Sequence, residues 1–172
     1  MSVCARPWPV LAGILALPFA AMTLPLPAQT EPAKAPPAVG TATGSLTVAG
    51  KRMALTHAIA FNAGARIYVA ITDQALPPDE TKSEFELAKY QFLHKVVGLE
   101  LTLDHTRQVT ETAYRWDQAK TPCAGCVEVT LAGGPDGLLT GTIKTTAKGE
   151  AEKLKVDVAF SAPFAKPSAA KK

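Results

Sequence analysis

The residues with the most chemical potential are Cys123-Ala124-Gly125-Cys126, two thiols separated by two small residues. Such a pair can shuttle electrons, hold a metal, attach haem or close a short disulfide, and its neighbours discriminate among these. A redox pair of the thioredoxin kind stands where a strand meets a helix, because the helix N-terminus stabilises the attacking thiolate. Here Cys126 leads into VEVTL, which has a strand pattern, so that support is missing. Haem attachment needs a histidine directly after the second cysteine, and Val127 stands there. A structural zinc site takes four ligands, and His57, His94 and His105 fall at no ligand spacing. A structural disulfide is therefore the leading expectation, with a labile redox pair and a metal site as alternatives. A loop this short removes little chain entropy, so the bond should pin its own turn more than the whole fold.

His57 is the second candidate. It lies between Leu55 and Ile59 in an alternating apolar run. A histidine in a core pairs its ring nitrogens with a backbone carbonyl or a hydroxyl, whereas one at the mouth of a barrel can bind a ligand or move a proton. Tyr68, Tyr114 and Trp116, with Arg66 and Arg115 close in sequence, are the third candidate, an aromatic platform for a sugar or peptide. Aromatics on strands also fill cores and pair across strands. No serine occupies a G-x-S-x-G turn, and Asp73, Glu100, Asp104, Glu111 and Asp157 mostly fall at outward positions of their strands. No motif calls for a cofactor.

The elements that must position these residues read as strands. Gly44–Asp73 carries three: Ser45–Val48, Arg52–Phe61 and Ala65–Asp73, joined by turns at Ala49-Gly50-Lys51 and Asn62-Ala63-Gly64. The second places Met53, Leu55, His57, Ile59 and Phe61 on one face and Ala54, Thr56, Ala58 and Ala60 on the other. Apolar on both sides, it is expected inside the sheet. Gln74–Glu80 is a loop with a proline pair. Thr81 and Glu84 then match a capping box, and Phe85, Ala88 and Phe92 follow at helical spacing. A short helix over 82–94 is expected, docked on the small Ala54/Ala58/Ala60 face. Further strands are Val96–Asp104, Gln108–Trp116, Cys126–Leu131, Leu138–Thr146 and Leu154–Ser161, with a loop over Asp117–Ala124. The fold class is mainly β: an antiparallel β-sandwich or small meandering β-barrel of about eight strands with one short helix.

The ends have a different composition. Arg6 precedes Val10–Met22, an uncharged apolar run of 13 residues, shorter than the ~20 needed to span a bilayer and typical of a signal peptide. Residues 1–28 are read as that peptide, with cleavage after Ala28, and Cys4 precedes the run, unlike a lipid-modified cysteine. Residues 29–43 form a Pro/Ala-rich linker, 44–164 the β-domain and 165–172 a disordered tail. Export would place Cys123 and Cys126 in an oxidising compartment, periplasmic or extracellular. The net charge of +3 comes from interspersed residues without a basic block, which argues against nucleic acid as a partner. No stable membrane span is expected after cleavage.

The expected function is a non-enzymatic binding module for a protein, peptide or small ligand in the cell envelope. The alternatives are a thiol–disulfide or metal-linked protein using Cys123 and Cys126, and a purely structural envelope component.

Overall fold

The computed structural model describes residues 40–77, 83–133 and 137–164. The expected signal peptide, most of the linker, the proposed N-cap Thr81 and the tail lie outside them. Nine strands form one antiparallel sheet: β1 (Thr41–Val48), β2 (Lys51–Ala63), β3 (Arg66–Thr72), β4 (Gly98–Leu103), β5 (Val109–Trp116), β6 (Ala119–Pro122), β7 (Val127–Gly133), β8 (Leu138–Thr145) and β9 (Leu154–Pro163). Helix α1 (Glu84–Leu93) links β3 to β4, and the short α2 (Ala147–Ala151) links β8 to β9. The order across the sheet is β6-β5-β4-β3-β2-β1-β9-β8-β7. Sequence neighbours are thus sheet neighbours except where the first strand pairs the last, and the sheet curls into a meandering half-barrel. The strand expected from residue 45 begins at Thr41, because Thr41, Ala42 and Thr43 pair with Ser161, Phe160 and Ala159 of β9.

Turn chemistry sets the meander. Val48 and Lys51 pair across Ala49-Gly50, both at positive φ, which matches the right-handed twist of the strands they join. Asp117 and Gln118 do the same between Trp116 and Ala119 without a glycine. Asp104 organises the β4–β5 turn: its Oδ1 accepts from the Thr106 amide (2.8 Å), the Thr106 hydroxyl (2.7 Å) and the Gln108 amide (2.9 Å). The Thr106 hydroxyl, foremost among these, holds the Asp104 carboxyl below its usual range.

The concave side holds the main core. Leu99, Leu101 and Leu103 of β4, Val69 and Ile71 of β3, Leu139 and Ile143 of β8 and Val156, Val158 and Phe160 of β9 all point into it. Each such side chain taken fully out of water is worth about 1.5–3 kcal/mol, so this layer dominates the fold's stability.

Strict alternation fails in β2. Thr41 pairs with His57, but Gly44 pairs with Leu55, so two residues of β1, Ala42 and Thr43, oppose one of β2, Thr56. This bulge inverts the strand's parity. Leu55 faces the core, as do Ala58 and Ala60, while Ile59 and Phe61 turn to the convex side. The five-residue face expected from Met53 to Phe61 is therefore split in the middle, at His57. As expected, β2 lies inside the sheet, between β1 and β3.

The same inversion moves the helix. Helix α1 covers Phe61, Tyr68 and Ala70 with Leu87, on the face opposite the alanines where docking was expected. Its N-cap is Ser83, whose hydroxyl accepts from the Glu86 amide at 3.2 Å. Glu84, Leu87 and Gln91 share the inner side, because Glu84 is tied to Tyr68 and Leu87 and Gln91 are buried. Phe85 and Phe92, expected on the packed stripe, are exposed instead. Gln74 and Gln118 donate to the carbonyls of His94 and Phe92 and anchor the helix C-terminus.

Candidate functional site

Strands β6 and β7 are two halves of one descending path, and Cys123–Cys126 is the break between them. The first half pairs with β5, from Trp116↔Ala119 to Ala113↔Pro122. The second pairs with β8, from Val127↔Thr145 onwards. Between them the cysteine loop changes partner. The Cys123 amide donates to the Thr112 carbonyl at 2.9 Å, and the Thr112 hydroxyl donates to the Cys123 carbonyl at 2.6 Å. At the other end the Thr146 amide donates to the Cys126 carbonyl at 2.9 Å. One cysteine is therefore bonded to each margin of the curled sheet, and the disulfide joins them, with Cα atoms 5.5 Å apart. The eight-strand expectation differs from the nine observed at this loop: Ala119–Pro122, expected in a loop, is a strand.

The loop's two middle carbonyls are held from the start of α2. Lys148 Nζ donates to the Ala124 carbonyl (2.7 Å), and the Thr146 hydroxyl donates to the Gly125 carbonyl (2.7 Å). Gly149 closes the contact: a Cβ there would lie 2.3 Å from the Cys126 carbonyl oxygen. Both cysteines are buried, at 3% and 1% exposure. Burial slows attack by an outside thiolate on either sulfur, and Cys126 Sγ lies 3.2 Å from Glu152 Oε2, an acid rather than a cation. Labile thiols need the opposite surroundings, accessible and electropositive. Beside the loop, Val109, Thr112, Val127 and Val129 line an opening of about 290 Å³ between β5 and β7.

His57 sits at the β1–β2 bulge on the rim of a different opening, of about 210 Å³. Gly40, Ala58, Ile59, Ala75, Leu76 and Pro163 supply most of its wall, and Thr72 the remaining polar group. The ring is oriented by a relay. Thr56 Oγ1 lies 3.0 Å from the Asp73 carbonyl oxygen, to which it can donate its one proton, and His57 Nδ1 lies 2.9 Å from Thr56 Oγ1. When the hydroxyl gives its proton to the carbonyl, Nδ1 is the donor to Thr56, and Nε2 is then the acceptor of the neutral ring.

The three aromatic residues do not share a face. Tyr114 and Trp116 pack against the concave core. Tyr68 lies on the convex side, stacked on Phe61 with ring centroids 5.5 Å apart. Nor is Arg115 near the surface: it is 5% exposed, and its Nε donates to Glu100 Oε1 at 3.1 Å. Lys120 binds the other Glu100 oxygen at 2.9 Å and reaches Glu84 at 3.6 Å, and the Tyr68 hydroxyl donates to Glu84 at 2.5 Å. Alternation alone marked Glu100 as an outward carboxylate. It does face outward, but between Arg115 and Lys120, which bond its two oxygens, so its charge is buried and paired. No run of sequence brings these five residues together, and nothing short of the strand order would have found the network.

The network carries a pH signature. The hydrogen bond to Glu84, with burial second, raises the Tyr68 pKa above its usual value of 10.0. A raised folded-state value favours the protonated form, so its stabilisation is complete below pH 10 and is lost as pH rises through the folded value. The denaturation midpoint should therefore fall faster above pH 10 in the native chain than in Tyr68→Phe. Parallel slopes for the two proteins would rule out this residue as the cause. For Lys120, burial pulls the pKa down, but the Glu100 and Glu84 carboxylates outweigh it and raise it.

These features define a class: a mainly β, antiparallel half-barrel with a disulfide at its margin and a histidine at its bulge. Protein-family models, characterised proteins and solved structures give no match to the chain, so its chemistry must be argued from these residues. Among the described residues no helix is long and apolar enough to cross a membrane.

Proposed function

We propose that this chain is an exported, non-enzymatic binding module that seats one small apolar group of a peptide, protein or free ligand beside His57. The observation that carries this reading is the largely apolar opening at the β1–β2 bulge, with one imidazole on its rim. At about 210 Å³ it falls below the ~300–1,000 Å³ of sites that enclose whole ligands, and its scale suits a single ring. An Nε2 acceptor favours a ring that brings a hydroxyl donor, such as a phenol. Export rests on the apolar run Val10–Met22 and on a disulfide that is at home in an oxidising compartment.

The test uses 4-methylphenol and toluene as probes. At tenfold excess over its Kd, 4-methylphenol should raise Tm by several degrees, corresponding to about 1.4 kcal/mol of linkage. Toluene should do less. Ala75 is exposed and lines the opening, so Ala75→Trp should block it without disturbing the core and abolish the shift. An equal shift in Ala75→Trp, or none in the native chain, sinks the reading.

A further inference from the structure

We propose that the reduced form of the cysteine loop is a metal site, binding one thiophilic divalent cation of the zinc class through Cys123, Cys126 and Glu152. This site is separate from the opening beside His57 and does not depend on that reading. Ligand atoms of the three residues all lie within 4.8 Å of one another. Two cysteines at this spacing, with a carboxylate completing three protein ligands, leave the fourth tetrahedral position to water.

Two further observations favour a metal-ready site over a plain cross-link. The first is the approach of Cys126 Sγ to Glu152 Oε2 at 3.2 Å. A disulfide sulfur has no proton to share with a carboxylate. A thiol donates one, and a cation binds both atoms, so opening the disulfide leaves Glu152 already in place to accept from Cys126 or to share a cation with it. The second is the frame. The carbonyls of Ala124, Gly125 and Cys126 are each held by Lys148 or Thr146, and the Cys123 backbone is held by Thr112. None of those bonds depends on the S–S bond, so breaking it leaves both sulfurs placed beside Glu152. The buried sulfurs are then ligands rather than exposed nucleophiles, and exposed Glu152 offers the ion its route in.

The chemistry balances with a dithiol as reductant. Its two thiols pass two electrons and two protons to the Cys123–Cys126 bond, giving two thiols here and a disulfide in the reductant. The incoming cation then displaces both thiol protons to solvent, so each metal bound releases two protons, and affinity rises with pH.

The experiment uses the full chain carrying Cys4→Ser, so that Cys123 and Cys126 are its only thiols. The chain is titrated with Zn²⁺ against a chromophoric chelator, both after phosphine reduction and as the disulfide. The expected result is one equivalent bound to the reduced chain, with release of two protons, and none to the disulfide form. Glu152→Gln removes one ligand at an exposed position and should weaken binding by tenfold or more while leaving the circular dichroism unchanged. The proposal is overturned if the reduced chain takes no Zn²⁺, if the disulfide form binds equally well, or if Glu152→Gln binds as tightly as the parent.

Discussion

Glu100→Ala should destabilise the domain by about 3–5 kcal/mol, because it leaves the Arg115 guanidinium buried without its anion. The Arg115 and Glu100 side chains are only 6% and 11% exposed, so water cannot replace the lost partner. Lys120 would lose its closer carboxylate as well, keeping only Glu84 at 3.6 Å. For a domain of this size the loss corresponds to a fall in Tm of roughly 10–20 °C. The double variant Glu100→Leu/Arg115→Met tests the cause. An apolar pair of similar volume removes both the interaction and the desolvation cost, and such replacements are often neutral or better. Urea melts of the three proteins should therefore rank the single variant last. If the double variant is as unstable as Glu100→Ala, the pair contributes net attraction, and the uncompensated charge is not the main loss.

The second large effect is expected at Gly44, where the β1 bulge meets β9. A Cβ on Gly44 would stand 2.0 Å from the Asp157 carbonyl oxygen and 2.7 Å from Val158 Cα. Both are backbone atoms in a paired strand, so neither can rotate away, and the strands must part. Overpacking a core ordinarily costs about 1–3 kcal/mol. Gly44→Ala should reach or exceed the top of that range, with faster amide exchange along Asp157–Phe160. Gly50→Ala is the control. Its Cβ would meet nothing within 4 Å, and only the φ of +84° is unfavourable, a cost of roughly 1–2 kcal/mol. Equal losses in the two variants would show that backbone conformation, and not the close approach to β9, is what Gly44 supplies.

Legibility in the sequence followed the range of the forces involved. Hairpins were readable because both determinants are local: Val97, Leu99, Leu101 and Leu103 alternate within one stretch, and Ala49-Gly50 marks the turn between β1 and β2. Strand β6 was not, since Ala119–Pro122 carries no apolar alternation and its turn, Asp117-Gln118, lacks the usual glycine. Its pairing comes from β5 alongside it. The bulge at His57 was equally hidden, because it is a mismatch between two strands and neither strand contains it. That one mismatch explains why Ala58 and Ala60 face the core and why α1 lies over Phe61 and Tyr68.

The candidate sites divide in the same way. Cys123 and Cys126 were identifiable as a pair by spacing alone, and the strand pattern after Cys126 already argued against a thiolate supported by a helix. Their partner Glu152 was not, since it arrives from the far end of α2 only when β8 folds back along β7. His57 stood out as a polar residue in an apolar run, but its orientation depends on Thr56 and on the Asp73 carbonyl just past the end of β3.

The sequence by itself determined the strands other than β6, most of their turns and the cysteine pair, because alternation, glycine-bearing turns and short spacing act within a few residues. Tertiary structure alone decided which face each side chain of β2 occupies, which charges are buried together and what stands beside the sulfurs. Those depend on register between strands distant in sequence, where a one-residue slip sends a side chain to the opposite face.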